Sequence, residues 1–482
     1  LRHLRGYALH PPVLQGPHGR PQGAPRMSKP LSMALVACLL SACAVGPDYE
    51  RPALPTATAF PEGKGGRATI ASDWWAGLGD VRLTQLVEQA LKNNTDVRIA
   101  AGRVEEAAAG LADVAGAQLP AVTAGAGATR NVVSSDSYTS FSTYGRTRKD
   151  YTAGLATTFE LDFWGKLRRA SEAARAQLLS ADEARRQVEL GVVSSVVKAY
   201  ALVRSADVQQ ASAQELLAVR EEELRIIQQR TQVGAAGANE VAQAEVARSA
   251  AVSALSDARR ARAQAEHLLG FLVGTPDLVL KAQAVAPLAT PPPPATGLPA
   301  DLLRRRPDVI SAEQALVAAN ARIGYAKAAY FPTFSLTGAV GAESKEFTAV
   351  FGQGNGTSLL GLNMSVPIFD FGRTAAKVDA AVAAQHQAAA AYEKAVLTAF
   401  REVRDALSDV RETMASAQAA GRREKAAREA FRIAQERRKQ GQLDPMEFLA
   451  ARRLLAESQV AVARVRLDRL GAQVDLVKAL GG

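Results

Sequence analysis

The segment RRPDVISAEQALVAANARIGYAKAAYFPTF, residues 305–334, occurs in a second form earlier in the chain. The earlier copy, residues 93–122, reads NNTDVRIAAGRVEEAAAGLADVAGAQLPAV. Pro120 in the first copy corresponds to Pro332 in the second, at the same offset that relates Asp96 to Asp308. Each copy has the apolar spacing of a helix and then passes through its proline into an alternating pattern. Because a repeat of this length organises the whole chain, it is assigned before any single element.

The correspondence continues downstream at a slightly smaller offset, which relates Gly234 to Gly441. Each copy predicts a helix, two strands, a very long helix, a turn and a return helix. We therefore expect an internal duplication, with the first repeat over residues 74–283 and the second over residues 300–482. The segment between them, residues 284–299, is proline-rich and is expected to form a stiff connector.

Four strands are predicted, two in each repeat. Their side chains alternate between apolar residues and small or polar ones, most clearly in the second and fourth strands. Strands of about ten residues with one apolar face are typical of membrane β-barrels, although a soluble β-sandwich has the same period. Because four strands cannot close a barrel alone, a barrel would have to be shared between chains. The predicted strands are about 119–133, 151–163, 331–341 and 359–369.

A helix of unusual length follows each strand pair. Residues 164–233 and 373–440 lack proline and are nearly free of glycine. At 1.5 Å per residue, about 70 helical residues extend about 100 Å. Each helix carries apolar residues at alternating steps of three and four, which predicts a coiled-coil seam. The seam residues are Val193, Val196, Tyr200 and Val203, matched in the second repeat by Phe400, Val403, Leu407 and Val410.

The N-terminal region predicts export and lipidation. Residues 1–26 are expected to be a misassigned upstream extension, and residues 27–42 have the short apolar core of a secretory signal. The sequence LSAC at 40–43 resembles a bacterial lipobox, so Cys43 is expected to carry a diacylglycerol and an N-acyl chain. The alternative is an incidental cysteine after an ordinary signal peptide. Residues 43–73 are expected to form an extended, lipidated N-terminal arm.

Composition argues against catalysis and nucleic-acid binding. The formal charge of +10 falls to +5 without residues 1–42, which hold five basic residues and no acids. Lys/Arg-rich runs with interleaved aromatic residues are absent, as are the HExxH, GxSxG and phosphate-loop signatures. Beyond the signal only His267, His386 and Cys43 remain, too few for a His/Cys metal site. We expect no enzyme, no metal and no cofactor.

Several motifs, spread over the chain from Met27 onward, resemble those of the TolC/OprM/NodT-type outer-membrane efflux lipoproteins. This resemblance covers nearly the whole chain, because its motifs are spread from the N-terminal arm to the end of the second repeat. They are CAVGPDYERP at 43–52, DWW at 73–75, LPADLLRRRPD at 298–308, FPTF at 331–334, PIFDFG at 367–372 and VKALGG at 477–482.

The resemblance implies a mixed α and β membrane protein. It implies a homotrimer in the outer membrane of a Gram-negative bacterium, with four strands per chain in one barrel and the long helices forming a periplasmic tunnel. It would be a passive exit duct for small toxic compounds or drugs, docked to a periplasmic adaptor and an inner-membrane RND-type pump. Two alternatives are a type I protein secretion duct and a lipid-anchored periplasmic coiled-coil scaffold without a pore.

The resemblance also implies a gate and adaptor-contact site at the periplasmic tip, where the long helices turn. Related proteins often carry LDAxR after the second turn, whereas this chain has Ala450 in place of the aspartate. Two arginines match charged tip positions, and two nearby acids are expected to pair with them; the alternative is that all four are solvated surface charges. The expected tip residues are Gly234, Arg437, Gly441, Asp444, Glu447 and Arg453.

Overall fold

The structure is a computed structural model, and it describes residues 44–53, 70–134, 146–281 and 303–482. The signal peptide, Cys43 and the proline-rich connector lie outside these residues. The described helices are α1 (Val81–Asn93), α2 (Thr95–Gly116), α3 (Lys166–Gln232), α4 (Ala238–Val273), α5 (Pro307–Ala328), α6 (Arg373–Lys439) and α7 (Pro445–Ala479). The described strands are β1 (Ala121–Val132), β2 (Thr147–Leu161), β3 (Thr333–Ser344) and β4 (Gly356–Ser365).

The two long helices match each other in length and in their ends. Both α3 and α6 contain 67 residues, and their starts are related by the same offset as Gly234 and Gly441. Each follows a left-handed glycine, Gly165 with φ 73° and Gly372 with φ 82°. Each ends just before another left-handed glycine, Gly234 or Gly441. Glycine adopts this backbone conformation without the steric penalty of a Cβ atom, so the chain reverses sharply after each helix.

The strands form one antiparallel sheet in the order β1-β2-β3-β4. Several predicted strand ends were wrong by three or four residues, including the end of β3, which is at Ser344 rather than at 341. β2 begins at Thr147 rather than at 151, because residues 147–150 pair with the end of β1. β4 covers Gly356–Ser365 rather than 359–369, and Pro367, which has no N–H to donate to a ladder, lies just beyond its end.

The long helix α3 is the centre of the helical packing. It contacts α2 and α5 in its sheet-proximal half, and α4 and α7 further along, while α6 packs against α5 and α7. The predicted seam of α3 is confirmed, since all four of its residues are buried in the largest apolar cluster. In α6, Val403 and Val410 are buried and Phe400 and Leu407 are partly buried.

The described part of the N-terminal arm, residues 44–53, lies against α3 and α5. Arg51 forms an ion pair of 2.6 Å with the buried carboxylate of Glu313. Gly46 lies so close to Gly324 that a Cβ atom on Gly46 would be 2.4 Å from the Gly324 Cα atom. Two glycines therefore allow the arm backbone to reach the surface of α5.

Candidate functional site

The strand register gathers the predicted apolar residues onto one face of the sheet. Phe159 of β2 is paired with Leu336 of β3, which is paired with Leu362 of β4. Successive side chains of a strand point to opposite faces, so positions two residues away share this face. The predicted alternation is therefore confirmed in β2 and β4, and the apolar residues of β3 lie on the same face.

This apolar face is open in the single chain. Eight of its large apolar side chains are between 39% and 81% exposed. An exposed apolar area of this extent marks a surface that contacts lipid or another molecule. The residues are Val122, Val132, Leu155, Leu336, Val340, Leu360, Leu362 and Met364.

The opposite face of the sheet carries small and polar side chains. One row across the strands is Gly125, Gly154, Gly341 and Thr357. The backbones of β2 and β3 are close here, because a Cβ atom on Gly154 would be 2.7 Å from the carbonyl oxygen of Val340. Leu359, an exposed apolar residue, departs from the pattern of this face. A curved sheet could line an aqueous lumen with this face and place the apolar face outward.

Each end of the sheet is an open edge. Within the described residues β1 is paired only with β2, and β4 only with β3. Unpaired N–H and C=O groups along an edge strand favour the addition of another strand. In a membrane such an edge is costly, since no water is present to bond these groups. The sheet of one chain is thus incomplete as a membrane-spanning unit.

Aromatic side chains mark the junction between the sheet and the helices. Trp164 stacks on Phe331 at 4.8 Å between ring centroids, and its indole N–H donates to the carbonyl oxygen of Pro332 at 2.7 Å. Phe163 contacts Phe334 edge to face at 5.2 Å. Aromatic girdles flank the apolar band of membrane barrels, and this cluster lies at the corresponding level of the sheet.

The far end of the helices, which we call the tip, is formed by the turns at Gly234 and Gly441. Each turn is closed by a backbone hydrogen bond to the long helix before it. The N–H of Ala235 donates to the carbonyl oxygen of Arg230 at 2.8 Å, and that of Gln442 donates to the carbonyl oxygen of Arg437 at 2.9 Å. The equivalent geometry brings Arg230 and Arg437 to matching positions in the two repeats.

The acids and arginines of the tip pair differently from the prediction. Within one chain Asp444 forms its ion pair with Arg230, at 2.7 Å, rather than with Arg437. This occurs because the end of α3 lies beside the start of α7. The repeat itself could have indicated Arg230, since it is the counterpart of Arg437. Arg437 and Glu447 form no ion pair within the described parts of the chain.

The other predicted arginine of the tip binds α3. Arg453 lies 3.6 Å from Glu223, a largely buried carboxylate, and 3.8 Å from Glu457. The neighbouring Arg452 forms a bidentate pair with Glu215. Sequence reasoning missed Glu215 and Glu223 because they belong to the first repeat, far from these arginines along the chain.

Asp444 remains charged at neutral pH. Its carboxylate accepts the backbone N–H of Met446 at 2.6 Å and a guanidinium bond from Arg230. These bonds, the first more than the second, lower the pKa of Asp444 below its ordinary value of 3.8. The ion pair with Arg230 is therefore present throughout the neutral range. Both partners are partly exposed, so one pair contributes only about 0–1 kcal/mol.

An apolar cluster lies behind these charges. Leu449 of α7 is fully buried against Val219 and Ile226 of α3. Phe448 contacts Phe431 of α6 and lies 4.4 Å from the guanidinium carbon of Arg438. The tip therefore joins α3, α6 and α7 by apolar contacts with charges around them.

Two other kinds of site bear on function. Across residues 44–53, 70–134, 146–281 and 303–482, we find no helix with the length and apolar character to cross a bilayer. The same residues contain no group of three or more His, Cys, Asp or Glu side chains placed to hold a metal ion.

An open sheet with one apolar face, continued by paired long helices, defines the class of outer-membrane channels with a helical tunnel. CmeC, the outer membrane channel of Campylobacter jejuni, matches 91% of this chain and 95% of its own, at a TM-score of 0.83 and 26% identity. The family model "Outer membrane efflux protein" matches residues 86–275 and 298–482. The chain belongs to the outer membrane efflux protein family, which is not a family of enzymes.

Curated relatives of the same family match this chain over nearly its whole length. The toluene efflux pump outer membrane protein TtgC of Pseudomonas putida is 34% identical over 464 residues, covering 94% of this chain and 95% of TtgC. Outer membrane protein OprJ of Pseudomonas aeruginosa is 34% identical over 475 residues, covering 95% of this chain and 97% of OprJ. The protein is an outer-membrane component of the efflux type.

Proposed function

We propose that the chain forms the outer-membrane channel of a tripartite efflux pump. It would pass small toxic compounds or drugs from the periplasm to the exterior without an energy source of its own. The observation that carries this proposal is the incomplete sheet, with two open edges and one exposed apolar face, joined directly to helices of 67 residues. Closing the sheet removes the edges and continues the lumen into the helices.

The assembly proposed is a homotrimer of duplicated chains. Four strands from each of three chains would form one barrel. The helices α3 and α6 of each chain would form the wall of a periplasmic tunnel. A periplasmic adaptor protein and an inner-membrane RND-type pump would dock at the tip. The named efflux relatives support these partners, and the pump rather than a wide aqueous lumen would select the compound.

Single-channel recording tests this function. Purified protein, assembled in detergent and inserted into planar bilayers, should give discrete conductance steps that correlate with the trimer fraction. A scaffold without a pore would give none. Absence of conductance from verified trimers, including variants of the tip, would contradict the proposal.

Cys43, which lies outside the described residues, is proposed to carry the lipid anchor. Cys43→Ser removes the thiol that diacylglycerol attaches to, so we expect an unlipidated protein that is partly soluble or mislocalised. Several acyl chains give firm membrane attachment, whereas the serine variant would depend on the barrel alone. Mass spectrometry of the mature N-terminus is the measurement. An unmodified Cys43, or cleavage at another residue, would contradict this assignment.

The tip is proposed to be the gate and the adaptor-contact site. Charge reversal at Arg453, which pairs with Glu223, or at Arg437 should loosen the closed tip and raise conductance without loss of trimer. The Arg453–Glu223 pair, at 3.6 Å, is weak, but threefold repetition multiplies its effect. Arg437 forms no ion pair within the described parts of one chain, so its reversal would act through a contact with another chain of the assembly. The measurement is single-channel conductance and antibiotic leakage of Arg437→Glu, Arg453→Glu and the double variant. Unchanged conductance of the double variant would place the gate elsewhere.

A further inference from the structure

The two long helices have different neighbours within one chain. α3 packs against both return helices, α4 on one side and α7 on the other, whereas the return helix packed on α6 is α7. The contrast is visible at equivalent residues near the tip. Ile226 of α3 is 8% exposed because Leu449 of α7 covers it, but its counterpart Ile433 of α6 is 45% exposed. One side of α6 is therefore an uncovered version of a surface that α7 covers on α3.

The ion pairs between α3 and α7 show what would cover it. Glu215 of α3 binds Arg452 of α7. In the other repeat the equivalent positions are Arg422 in α6 and Glu245 in α4. The acid of α3 is replaced by a base in α6, and the base of α7 is replaced by an acid in α4. The charges of Arg422 and Glu245 are therefore again opposite and would attract each other.

A second pair changes in the same concerted way. Glu223 of α3 and Arg453 of α7 lie 3.6 Å apart. Their counterparts are Ala430 in α6 and Val246 in α4, so both charges have been lost together. Val246 is 71% exposed on α4, and Ile433 is exposed three residues beyond Ala430. Where α3 and α7 form an ion pair, α6 and α4 thus each carry exposed apolar residues. These two surfaces fit an apolar contact.

We propose that the uncovered side of α6 binds the α4 helix of a second copy of this chain. In this contact Arg422 pairs with Glu245 of the partner subunit, and Ala430 and Ile433 pack against Val246 of the partner subunit. The inference rests on the proposed homotrimer and adds the residues that join its chains near the tip. Arg422 is exposed and forms no ion pair in the described ranges, and Glu245 is bound only by Arg248 of its own helix, at 3.3 Å.

The reversed signs also decide which helix fits where. An α7 helix on α6 at this site would place Arg452 against Arg422, and an α4 helix on α3 would place Glu245 against Glu215. Both arrangements oppose like charges, which disfavours them. The contact within a chain and the contact between chains are therefore not interchangeable, although the two repeats are similar. This excludes a wrong order of helices when three chains close a ring.

The complementarity is confined to the tip half of the helices. Nearer the sheet, Lys198 of α3 binds Asp475 of α7 at 2.5 Å. The counterparts of these residues, Asp405 and Leu268, form no complementary pair. The Arg422–Glu245 contact is thus a specific feature of one level of the tunnel, and its removal is expected to loosen the tip half first.

A charge-reversal cycle tests the pair. Glu245→Arg or Arg422→Glu alone should reduce severalfold the fraction of trimer that survives mild heating in detergent at low salt. The double exchange should restore that fraction to within about twofold of the original protein, because the pair is re-formed with opposite polarity. Arg432→Glu is the matched control, since Arg432 binds Glu429 on its own helix, as its counterpart Arg225 binds Glu222. A double variant as weak as both single losses combined would overturn the inference.

Cross-linking tests directly whether the two positions are close to each other. Replacing one acid and one base by cysteine leaves the net charge of the chain unchanged. A chain with Glu245→Cys and Arg422→Cys, treated with a short bifunctional thiol reagent, should give covalent dimers and trimers. Each single-cysteine chain should give no covalent oligomer. A product found only within monomers, or no product, would overturn the inference. Neither measurement needs transport. Cross-linked trimers without conductance would contradict the proposed function alone, and conducting trimers without cross-links would contradict this contact alone.

Discussion

Leu362→Arg is expected to prevent assembly of the barrel. Leu362 is in the middle of β4, on the exposed apolar face, in register with Leu336 and Phe159. An arginine on the lipid face near the bilayer midplane costs about 2–4 kcal/mol in each chain. We expect monomers or aggregates in place of heat-resistant trimers, measured by native electrophoresis of detergent-solubilised outer membranes.

Ser365→Arg is the matched control on the other face. Ser365 is the last residue of β4 and belongs to the small, polar face, where a long charged side chain would extend into water. This variant should assemble as the original protein does and conduct with altered ion selectivity. If both variants lose trimer equally, the apolar face does not face lipid and the sheet has been oriented wrongly.

The features predicted well from the sequence are those set by local periodicity. The alternation in β2 and β4 and the three-four spacing of Val193, Val196 and Tyr200 each follow from side-chain directions within one element. The repeat strengthened these predictions by giving every pattern twice. Strand ends were less certain, because pairing of residues 147–150 depends on β1 rather than on β2 itself.

The features missed were contacts between distant segments. Arg230 of the first repeat binds Asp444 of the second repeat. Arg51 of the N-terminal arm binds Glu313, which is also in the second repeat. Such a partner is chosen by helix packing, which composition and periodicity do not encode. Asp444 was placed near the correct turn, but its arginine within one chain is Arg230 rather than a predicted one. The repeat points to Arg230, because that residue is the counterpart of Arg437 at the other turn.

The RRRPD part of the sequence gains a structural explanation from such distant contacts. Arg306 is 5% exposed and binds both carboxylate oxygens of Asp308, at 3.0 and 2.6 Å. It also donates to Glu402 of α6 at 2.6 Å and to the carbonyl oxygen of Ala479, at the end of α7, at 2.9 Å. Burial opposes the charged form, but these bonds outweigh it and raise the pKa of Arg306. One guanidinium therefore joins the start of α5, the middle of α6 and the end of α7.

Arg306→Met is expected to destabilise the helical region by about 3 kcal/mol, the lower end of the cost of breaking a buried ion pair. The value lies at the lower end because Asp308 and Glu402 keep some access to water once the arginine is gone. Methionine retains much of the side-chain volume, so the loss reports on the bonds rather than on a cavity. Thermal unfolding in detergent, followed by circular dichroism, should show a lower midpoint for this variant. Arg304→Met, at an exposed position two residues earlier, should unfold like the original protein. Equal midpoints for both variants would mean that Arg306 contributes no more than a surface arginine, and that α5, α6 and α7 are held together by their apolar contacts alone.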